Sequence, residues 1–258
     1  MIYQLKSYIK FLLKSTNQHG VHSPFVYDLL TKCVYKKAQN ASFEILKKHR
    51  NGLSKDTSTV DVTDFGSGSR VFKSNTRIVS KIAKVAGITP KRQKLLFKLI
   101  RYFQPSEILE IGTSLGIATV AMSLAKSSAT INTVEGCPET LKKATEHFSR
   151  FNLNNITTHN VSFDEYFRSI PKDKYIDFAF IDGNHTELDT LKYFESLLPH
   201  CHNNTILIFD DIYWSKEMTT AWIKIIENDK VTVSIDSYKW GLVFFRTEQL
   251  KQHFTLRL

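Results

Sequence analysis

The sequence predicts an α/β fold, a doubly wound parallel sheet that follows a helical N-terminal region. From residue 106 onward, short runs rich in β-branched and aromatic residues alternate with longer segments of helical periodicity. Alternation of this kind produces a parallel sheet with helices on both faces. With 258 residues, of which 42% are hydrophobic, the chain can bury the core of one large domain, alone or with a small appendage.

The first hundred residues are predicted to be mainly helical. Apolar residues recur at helical spacing in the segments 2–15, 24–37, 41–49, 70–86 and 90–103. In the last segment, Thr89 is suited to the N-cap and Pro90 to the first helical position. We therefore assign residues 1–87 to a mainly helical, basic extension and residues 88–258 to the α/β domain.

The α/β domain contains seven strand-like runs separated by turns or helices. The predicted strands are 108–111, 130–135, 156–161, 175–181, 205–210, 231–236 and 240–246. The predicted helices are 115–127, 138–150, 186–199 and 215–227. The last two strands are too close in sequence for a parallel crossover, so we expect them to form an antiparallel hairpin.

Charge is distributed unevenly along the chain. Residues 1–101 contain 20 Lys and Arg and 5 Asp and Glu, a net charge of +15, whereas residues 102–258 contain 15 and 20, a net charge of −5. The basic region indicates an anionic partner such as RNA, a phosphorylated metabolite or an anionic lipid surface. The alternative is a basic helical face that is simply solvated.

The cysteine content and the hydropathy pattern indicate in which cellular compartment the protein is expected. Cys33, Cys137 and Cys201 are far apart, which argues against a disulfide framework or a zinc site and favours a reducing cytoplasm. No apolar run approaches the roughly 18 residues of a membrane span. The N-terminal segment has the pattern of an amphipathic helix and not of a signal peptide. We therefore expect a cytoplasmic protein without a membrane span, and homodimer formation is left open.

Two glycine-rich stretches resemble each other, VTDFGSGS at 62–69 and LEIGTSLG at 109–116. The second follows a predicted strand and opens a helix, whose N-terminal amides are suited to a polar ligand. The next strand ends in Glu135, where a carboxylate can accept hydrogen bonds from both hydroxyls of a ribose. No comparable strand follows the first stretch. The 109–116 loop is therefore the predicted cofactor loop.

The motifs ILEIGTSLG, TVEG, FIDGNH and IFDDI, in this order, resemble the class I S-adenosylmethionine-dependent methyltransferases. They are most similar to the cation-dependent, catechol-type O-methyltransferases and to bacterial methyltransferase family 24. The resemblance covers about residues 88–246. It implies a Rossmann-like sheet of seven strands with the last strand antiparallel, and it makes residues 88–258 the methyltransferase domain.

The resemblance also implies the cofactor contacts. Glu135 would bind the ribose of S-adenosylmethionine, and Ser162 and Phe163 would border the adenine. Asp182 is expected near the cofactor as well. The amino-acid end would be surrounded by residues of the glycine loop, Glu110, Gly112, Thr113, Ser114 and Gly116.

Three carboxylates follow neighbouring predicted strands. Asp182 and Asp210 come at the ends of parallel strands, and Asp211 follows directly. Clustered like charges repel unless a cation or protons neutralise them, and oxygen ligands favour Mg²⁺, Mn²⁺ or Ca²⁺. These three residues are therefore predicted metal ligands. The alternative is that Asp182 and Asp211 cap the helices that follow.

In the catechol-type enzymes the metal ligands are Asp, Asp and Asn, and a Lys is the usual base. Here Asp211 stands in place of the Asn and His185 in place of the Lys. These differences weaken the inference that the substrate is of the catechol type. Asp182 and His185 are the predicted catalytic residues, since the unperturbed pKa of His lies near neutrality. His185 has the alternative role of a first-turn helix residue. Tyr213 and Trp214 would wall the acceptor pocket or belong to the core.

These observations predict an O-methyltransferase that transfers a methyl group from S-adenosylmethionine to a small hydroxylated molecule, which is anionic if the basic region binds it. Two alternatives stay open, an RNA-modifying methyltransferase and a non-catalytic nucleoside-binding homologue. The segments HGVHSPF (19–25) and DFGSGSR (64–70) have no assigned role. The latter forms either a tight turn or, with Arg70, an anion site.

Overall fold

The computed structural model describes residues 2–37, 40–63 and 74–258. It has an α/β fold with helices and a mostly parallel central sheet of eight strands, which confirms the predicted fold class. The chain divides into two compact units. We call Lys37–Ser169 the glycine-loop unit, and Met1–Lys36 together with Ile170–Leu258 the acidic-edge unit. The predicted domain boundary after residue 87 stays a prediction.

The N-terminal part of the acidic-edge unit contains two α-helices, with a 3-10 turn at Gln18–Gly20 between them. Helix α1 spans Ile2–Lys14, and α2 spans Pro24–Asp28 and continues as a π-helix over Leu29–Val34. The Ser23 hydroxyl caps α2 by accepting a hydrogen bond from the Val26 amide, and Pro24 occupies its first turn.

The glycine-loop unit begins with α3 (Ser42–Lys55), the strands β1 (Thr59–Asp61) and β2 (Thr76–Ile78), α4 (Val79–Val85) and α5 (Pro90–Phe103). It continues with β3 (Glu107–Ile111), α6 (Ile117–Ala125), β4 (Thr130–Val134), α7 (Pro138–Arg150), β5 (Ile156–His159) and α8 (Phe163–Ser169). Strands β3, β4 and β5 are parallel neighbours in that order. Their carboxyl ends therefore share one edge, from which the glycine loop leaves.

The rest of the acidic-edge unit contains β6 (Phe178–Ile181), α9 (Glu187–Leu197), β7 (Ile206–Asp210), α10 (Lys216–Glu227), β8 (Val233–Asp236), β9 (Trp240–Phe244) and β10 (Gln252–Thr255). Strands β6 and β7 are parallel, and β9 is antiparallel to both β7 and β8. The predicted terminal hairpin is thus confirmed. Strand β10 adds an eighth strand, parallel to β8, so the predicted count of seven is corrected. Its sequence QHFT is short and half exposed, and it lacks the apolar pattern that marks a buried strand.

The helix predicted for residues 70–86 is wrong over Thr76–Ile78, which pairs as an antiparallel strand with Thr59–Asp61. Residues 70–73, like the rest of the stretch DFGSGSR, lie outside the described residues. The helix predicted for 41–49 extends to Lys55, and α8 was not predicted. Among the described residues, no helix combines the length and the apolar character that crossing a membrane requires.

Candidate functional site

The glycine loop joins β3 to α6 through backbone in the left-handed region. The φ angles are 98° at Gly112, 47° at Ser114 and 74° at Gly116. The amides of Gly112 and Thr113 both donate to the carbonyl of Val134, at 3.0 and 3.2 Å, which ties the loop to the end of β4. Glycine adopts such angles at little cost, whereas serine does so rarely and mainly at functional sites. The backbone at Ser114 therefore supports the loop as a binding element.

Gly116 fixes the start of α6. A Cβ at this position would lie 2.4 Å from the Cε1 atom of Phe148, on α7. A side chain there would also meet an unfavourable φ. The glycine thus allows α6 to begin directly after the loop, and the first amides of a helix have no intrahelical partner.

Glu135, at the end of β4, is hydrogen-bonded to the loop. Its Oε2 accepts from the Ser114 amide at 2.9 Å and its Oε1 accepts from the Cys137 amide at 3.0 Å. Since each carboxylate oxygen has two lone pairs, these two bonds leave the carboxylate able to accept from ligand hydroxyls. The side chain is half-buried. Glu135 therefore has the position and the acceptors that the ribose contact requires.

The sequence analysis missed Asn160, which follows β5. Its Nδ2 donates to the carbonyls of Glu135 and Gly136, at 2.8 and 3.1 Å. The sequence did contain a signal for Asn160. It is a polar residue that follows the third parallel strand, and the carboxyl end of that strand lies at the same sheet edge as Glu135. Asn160 thus fixes the backbone that presents the Glu135 carboxylate.

Glu110 lies behind the loop. It is fully buried, and its Oε2 accepts hydrogen bonds of 2.5 Å from the hydroxyls of Thr119 and Thr133. The Thr133 hydroxyl is also 2.5 Å from that of Thr113. This network of small polar side chains was not anticipated from the sequence. It assigns Glu110 the role of holding β3, β4 and the loop in register.

The two predicted adenine neighbours follow β5. Ser162 is exposed, and its hydroxyl accepts from the Glu165 amide at 3.2 Å, so it caps the first turn of α8. Phe163 is half-buried at the start of the same helix. An aromatic side chain at this place is suited to border an aromatic ligand.

The acidic edge lies at the ends of β6 and β7. Asp182 directly follows β6, and Asp210, the last residue of β7, is only 4% exposed. Its Oδ1 accepts from the Asp211 amide at 2.8 Å. The φ angles of Asn184, His185 and Asp211 are 59°, 46° and 51°, all in the left-handed region that non-glycine residues rarely adopt. Such conformations persist mainly at functional sites.

Protein cations neutralise two of these carboxylates. His185 Nε2 lies 3.4 Å from Asp182 Oδ1, and Lys239 Nζ lies 3.0 Å from Asp211 Oδ1. Burial alone would lower the pKa of His185, but the hydrogen bond and charge of Asp182, with the charges of Asp211 and Asp210, raise this pKa to about 9. At neutral pH the imidazole is therefore an imidazolium.

Residues 109–212 match the model of methyltransferase family 24, described as a methyltransferase domain. The predicted resemblance is confirmed. A comparison with curated proteins finds no match.

Solved methyltransferases share the fold of this chain. An O-methyltransferase from Bacillus cereus, in complex with S-adenosylhomocysteine, is 17% identical, with 85% of this chain and 94% of that chain covered and a TM-score of 0.56. TomG from Streptomyces achromogenes, involved in tomaymycin synthesis and bound to S-adenosylmethionine, is 14% identical, with coverage of 90% and 99% and a TM-score of 0.56. The methyltransferase PaMTH1 from Podospora anserina is 12% identical, with coverage of 82% and 99% and a TM-score of 0.58.

The side chains of the acidic edge, as they are arranged among the described residues, do not form a metal site. Within residues 2–37, 40–63 and 74–258, no group of three or more His, Cys, Asp or Glu is placed to hold a metal ion. The carboxylates of Asp182 and Asp211 already pair with His185 and Lys239. A divalent ion would have to displace both cations, and we derive no chemical step through one.

The alternative role of the carboxylates as helix caps is wrong. The Thr186 hydroxyl caps α9 by accepting from the Asp189 amide at 3.1 Å. The Ser215 hydroxyl caps α10 in the same way, from the Met218 amide at 3.1 Å. The N-caps of α9 and α10 are therefore Thr186 and Ser215, and not Asp182 and Asp211.

Two aromatic residues follow the acidic edge. The Tyr213 hydroxyl donates to Asp236 at 2.6 Å, and its ring stacks on Tyr238 at 5.2 Å. Burial raises the pKa of Tyr213, so this phenol stays neutral. The ring of Trp214 lies 6.0 Å from that of His185. Trp214 is thus the aromatic neighbour of the predicted base, whereas the hydroxyl of Tyr213 is used in a partly buried hydrogen bond with Asp236.

Proposed function

We propose that this chain is a methyltransferase that uses S-adenosylmethionine to methylate a hydroxyl group of a small molecule in the cytoplasm. The observation that carries the proposal is the hydrogen bond between the glycine loop, with its backbone in the left-handed region, and Glu135, whose Oε2 accepts from the Ser114 amide. The family match over residues 109–212 supports it. We further propose that the methyltransferase domain spans residues 88–258 and that residues 1–87 form an extension.

In the proposed complex, the glycine-loop unit binds the cofactor. Glu135 accepts hydrogen bonds from the ribose hydroxyls, and Ser162 and Phe163 border the adenine. Glu110 holds the loop from behind through the bonds of its Oε2 to two threonines, and it stays a proposed contact near the amino-acid end of the cofactor. The bound cofactor supplies a methyl group on a sulfonium. Its amino-acid end is assigned to Gly112, Thr113, Ser114 and Gly116.

We propose Asp182 and His185 as the catalytic residues, and Asp182 as a further cofactor contact. Once His185 has lost its Nδ1 proton to solvent, Nδ1 can accept one from the acceptor hydroxyl, while Nε2 keeps its contact with Asp182, which holds the ring and compensates the charge that forms. Trp214 lies beside that ring and is suited to border an aromatic acceptor. This version requires no metal.

A metal-dependent version of the same proposal has Asp182, Asp210 and Asp211 as ligands of Mg²⁺, Mn²⁺ or Ca²⁺. It requires that His185 and Lys239 give up their carboxylate partners. Transfer of labelled methyl groups to a panel of small phenols and phosphorylated alcohols, in EDTA and with Mg²⁺ added back, distinguishes the two versions. Full transfer in EDTA supports His185, and complete loss that Mg²⁺ reverses supports the metal.

Calorimetry with S-adenosylhomocysteine tests the cofactor site without a known acceptor. Glu135→Ala should weaken binding by about tenfold to a hundredfold, because hydrogen bonds to a charged group are lost. Gly112→Val should also weaken it, since valine is strained at a φ of 98°. Gly66→Val, in the other glycine-rich stretch, is the control and should bind normally. Loss of binding in Gly66→Val alone would place the cofactor at the other stretch.

A second candidate function, the modification of RNA, is favoured by the net charge of +15 over residues 1–101. Binding driven by phosphate contacts weakens steeply with salt, as counterions are released. Electrophoretic shifts of bulk tRNA at 50 and 200 mM salt would test this. A salt-sensitive shift supports the RNA function, and no shift at the lower concentration removes it.

A further inference from the structure

Helix α1 has two faces of apolar character. On one side Phe11 is buried, with its ring 5.7 Å from that of Tyr238. On the other side the apolar residues are open to solvent, among them Ile2 at 74% and Leu13 at 82% exposure. At 3.6 residues per turn they fall on one continuous face. This exposed face consists of Ile2, Leu5, Tyr8, Ile9, Leu12 and Leu13.

The inner side of α1 is fixed to the acidic-edge unit. The Tyr3 hydroxyl donates to the Thr219 hydroxyl at 2.7 Å, and the Tyr238 hydroxyl donates to the carbonyl of Gln4 at 2.8 Å. At the other end, Arg257 Nη2 donates to the carbonyl of Ser15 at 3.0 Å. These contacts hold the helix with its exposed face outward.

A row of lysines borders the exposed face. Lys6, Lys10 and Lys14 are four residues apart, so they lie along one edge of the helix, and all three are exposed. The helix sequence IYQLKSYIKFLLK contains no Asp or Glu. A contiguous apolar face of this kind marks an interaction surface. Its partner must offer both an apolar phase and negative charge.

We propose that α1 docks this protein on the surface of an anionic lipid bilayer. The exposed apolar face would lie at the boundary between headgroups and acyl chains, and the three lysines would meet lipid phosphates. A second copy of the chain is a poorer partner, because pairing two α1 helices through this face brings two lysine rows together without any acid in either helix. The proposal does not depend on methyl transfer.

Sedimentation of the full chain with lipid vesicles tests the proposal. The protein should bind vesicles of phosphatidylcholine with phosphatidylglycerol, and far less those of phosphatidylcholine alone. Changing Lys6, Lys10 and Lys14 together to Gln should weaken binding by about a hundredfold. Ile9→Ser with Leu13→Ser should weaken it at least about tenfold. Leu250→Ser changes a side chain that is 86% exposed outside α1, and this control should bind like the wild type.

Two outcomes would overturn the proposal. One is the absence of binding to anionic vesicles at low salt. The other is a dimer in analytical ultracentrifugation that Ile9→Ser with Leu13→Ser dissociates while vesicle binding is unchanged, which would assign the face to a second copy. Circular dichroism of each variant verifies that the fold is intact, since these side chains point away from the protein body.

Discussion

One histidine in each unit carries a large pKa shift, and the two shifts have opposite directions. In the glycine-loop unit, His49 on α3 is fully buried, with its ring 5.1 Å from that of His147. Burial lowers the pKa of His49 to about 3, and the positive charges of His147, Arg50 and Arg150 act in the same direction. In the acidic-edge unit, burial also disfavours the charged form of His185, yet its pKa rises to about 9 because carboxylates surround it. Burial therefore decides the state of His49, with neighbouring positive charges acting the same way, whereas the carboxylates around His185 outweigh the effect of burial.

The carboxylates of the two units differ in the same way. In the glycine-loop unit, Glu110 and Glu135 accept hydrogen bonds from hydroxyls and backbone amides, which are neutral donors. In the acidic-edge unit, Asp182 and Asp211 pair with protein cations. The acidic edge must therefore exchange a partner before it binds another cation.

The largest expected effect is the loss of stability when a side chain is added at Gly116, where the glycine loop packs against Phe148. Gly116→Val should lower the free energy of unfolding by roughly 3 kcal/mol or more, because the side chain meets Phe148 and the backbone angle is unfavourable. Urea denaturation followed by circular dichroism measures this change.

Gly52→Ala is the matched control for this substitution. Its new Cβ would lie 3.7 Å from His147 Cε1, an ordinary contact, within helix α3. We expect it to raise the free energy of unfolding by about 0.5–1 kcal/mol. Equal effects of the two substitutions would contradict the assignment of a special role to the backbone at Gly116.

The second effect is a decrease in the free energy of unfolding at acidic pH, which His49 causes. In the unfolded chain its pKa is near 6.5, whereas in the folded protein it is about 3. Between these values the unfolded state binds a proton that the folded state does not, so stability is fully present above pH 6.5 and falls as the pH is lowered. From pH 7 to pH 5 the loss from His49 should be about 2 kcal/mol.

His49→Leu should remove this part of the pH dependence. Urea denaturation at pH 7 and pH 5 measures it as the difference between variant and wild type, and Gly52→Ala in the same helix should keep the wild-type dependence. An unchanged pH dependence in His49→Leu would show that the folded protein accommodates a charged imidazole at this position.

Much of the fold was predictable because its elements have periodic apolar patterns. The bounds of α5 and α7 agree with the predicted helices, since Pro90 and Pro138 mark the first turn of each. The strand Thr76–Ile78 and strand β10 were missed because they are short and largely polar.

The candidate site was predictable to a lesser extent. The position of Glu135 followed from its place at a strand end, and that of Asp182 from the neighbouring strand. The pairing of Asp211 with Lys239 depends on a contact between residues 28 positions apart, which no local pattern encodes. The same holds for the bond between Glu110 and Thr133.

The smallest expected effect concerns the cations of the acidic edge. If Lys239 neutralises Asp211, then Lys239→Gln should increase the affinity for Mn²⁺ by roughly twofold to fivefold, because the ion no longer competes with an ammonium group in a half-exposed ion pair. Titration followed by electron paramagnetic resonance measures free Mn²⁺ directly. The control is Lys224→Gln, which removes a similar half-exposed pair with Glu187 and should leave the affinity unchanged. The same affinity in both variants would show that Lys239 does not compete for Asp211, and the contrast between the two units would then rest on His185 alone.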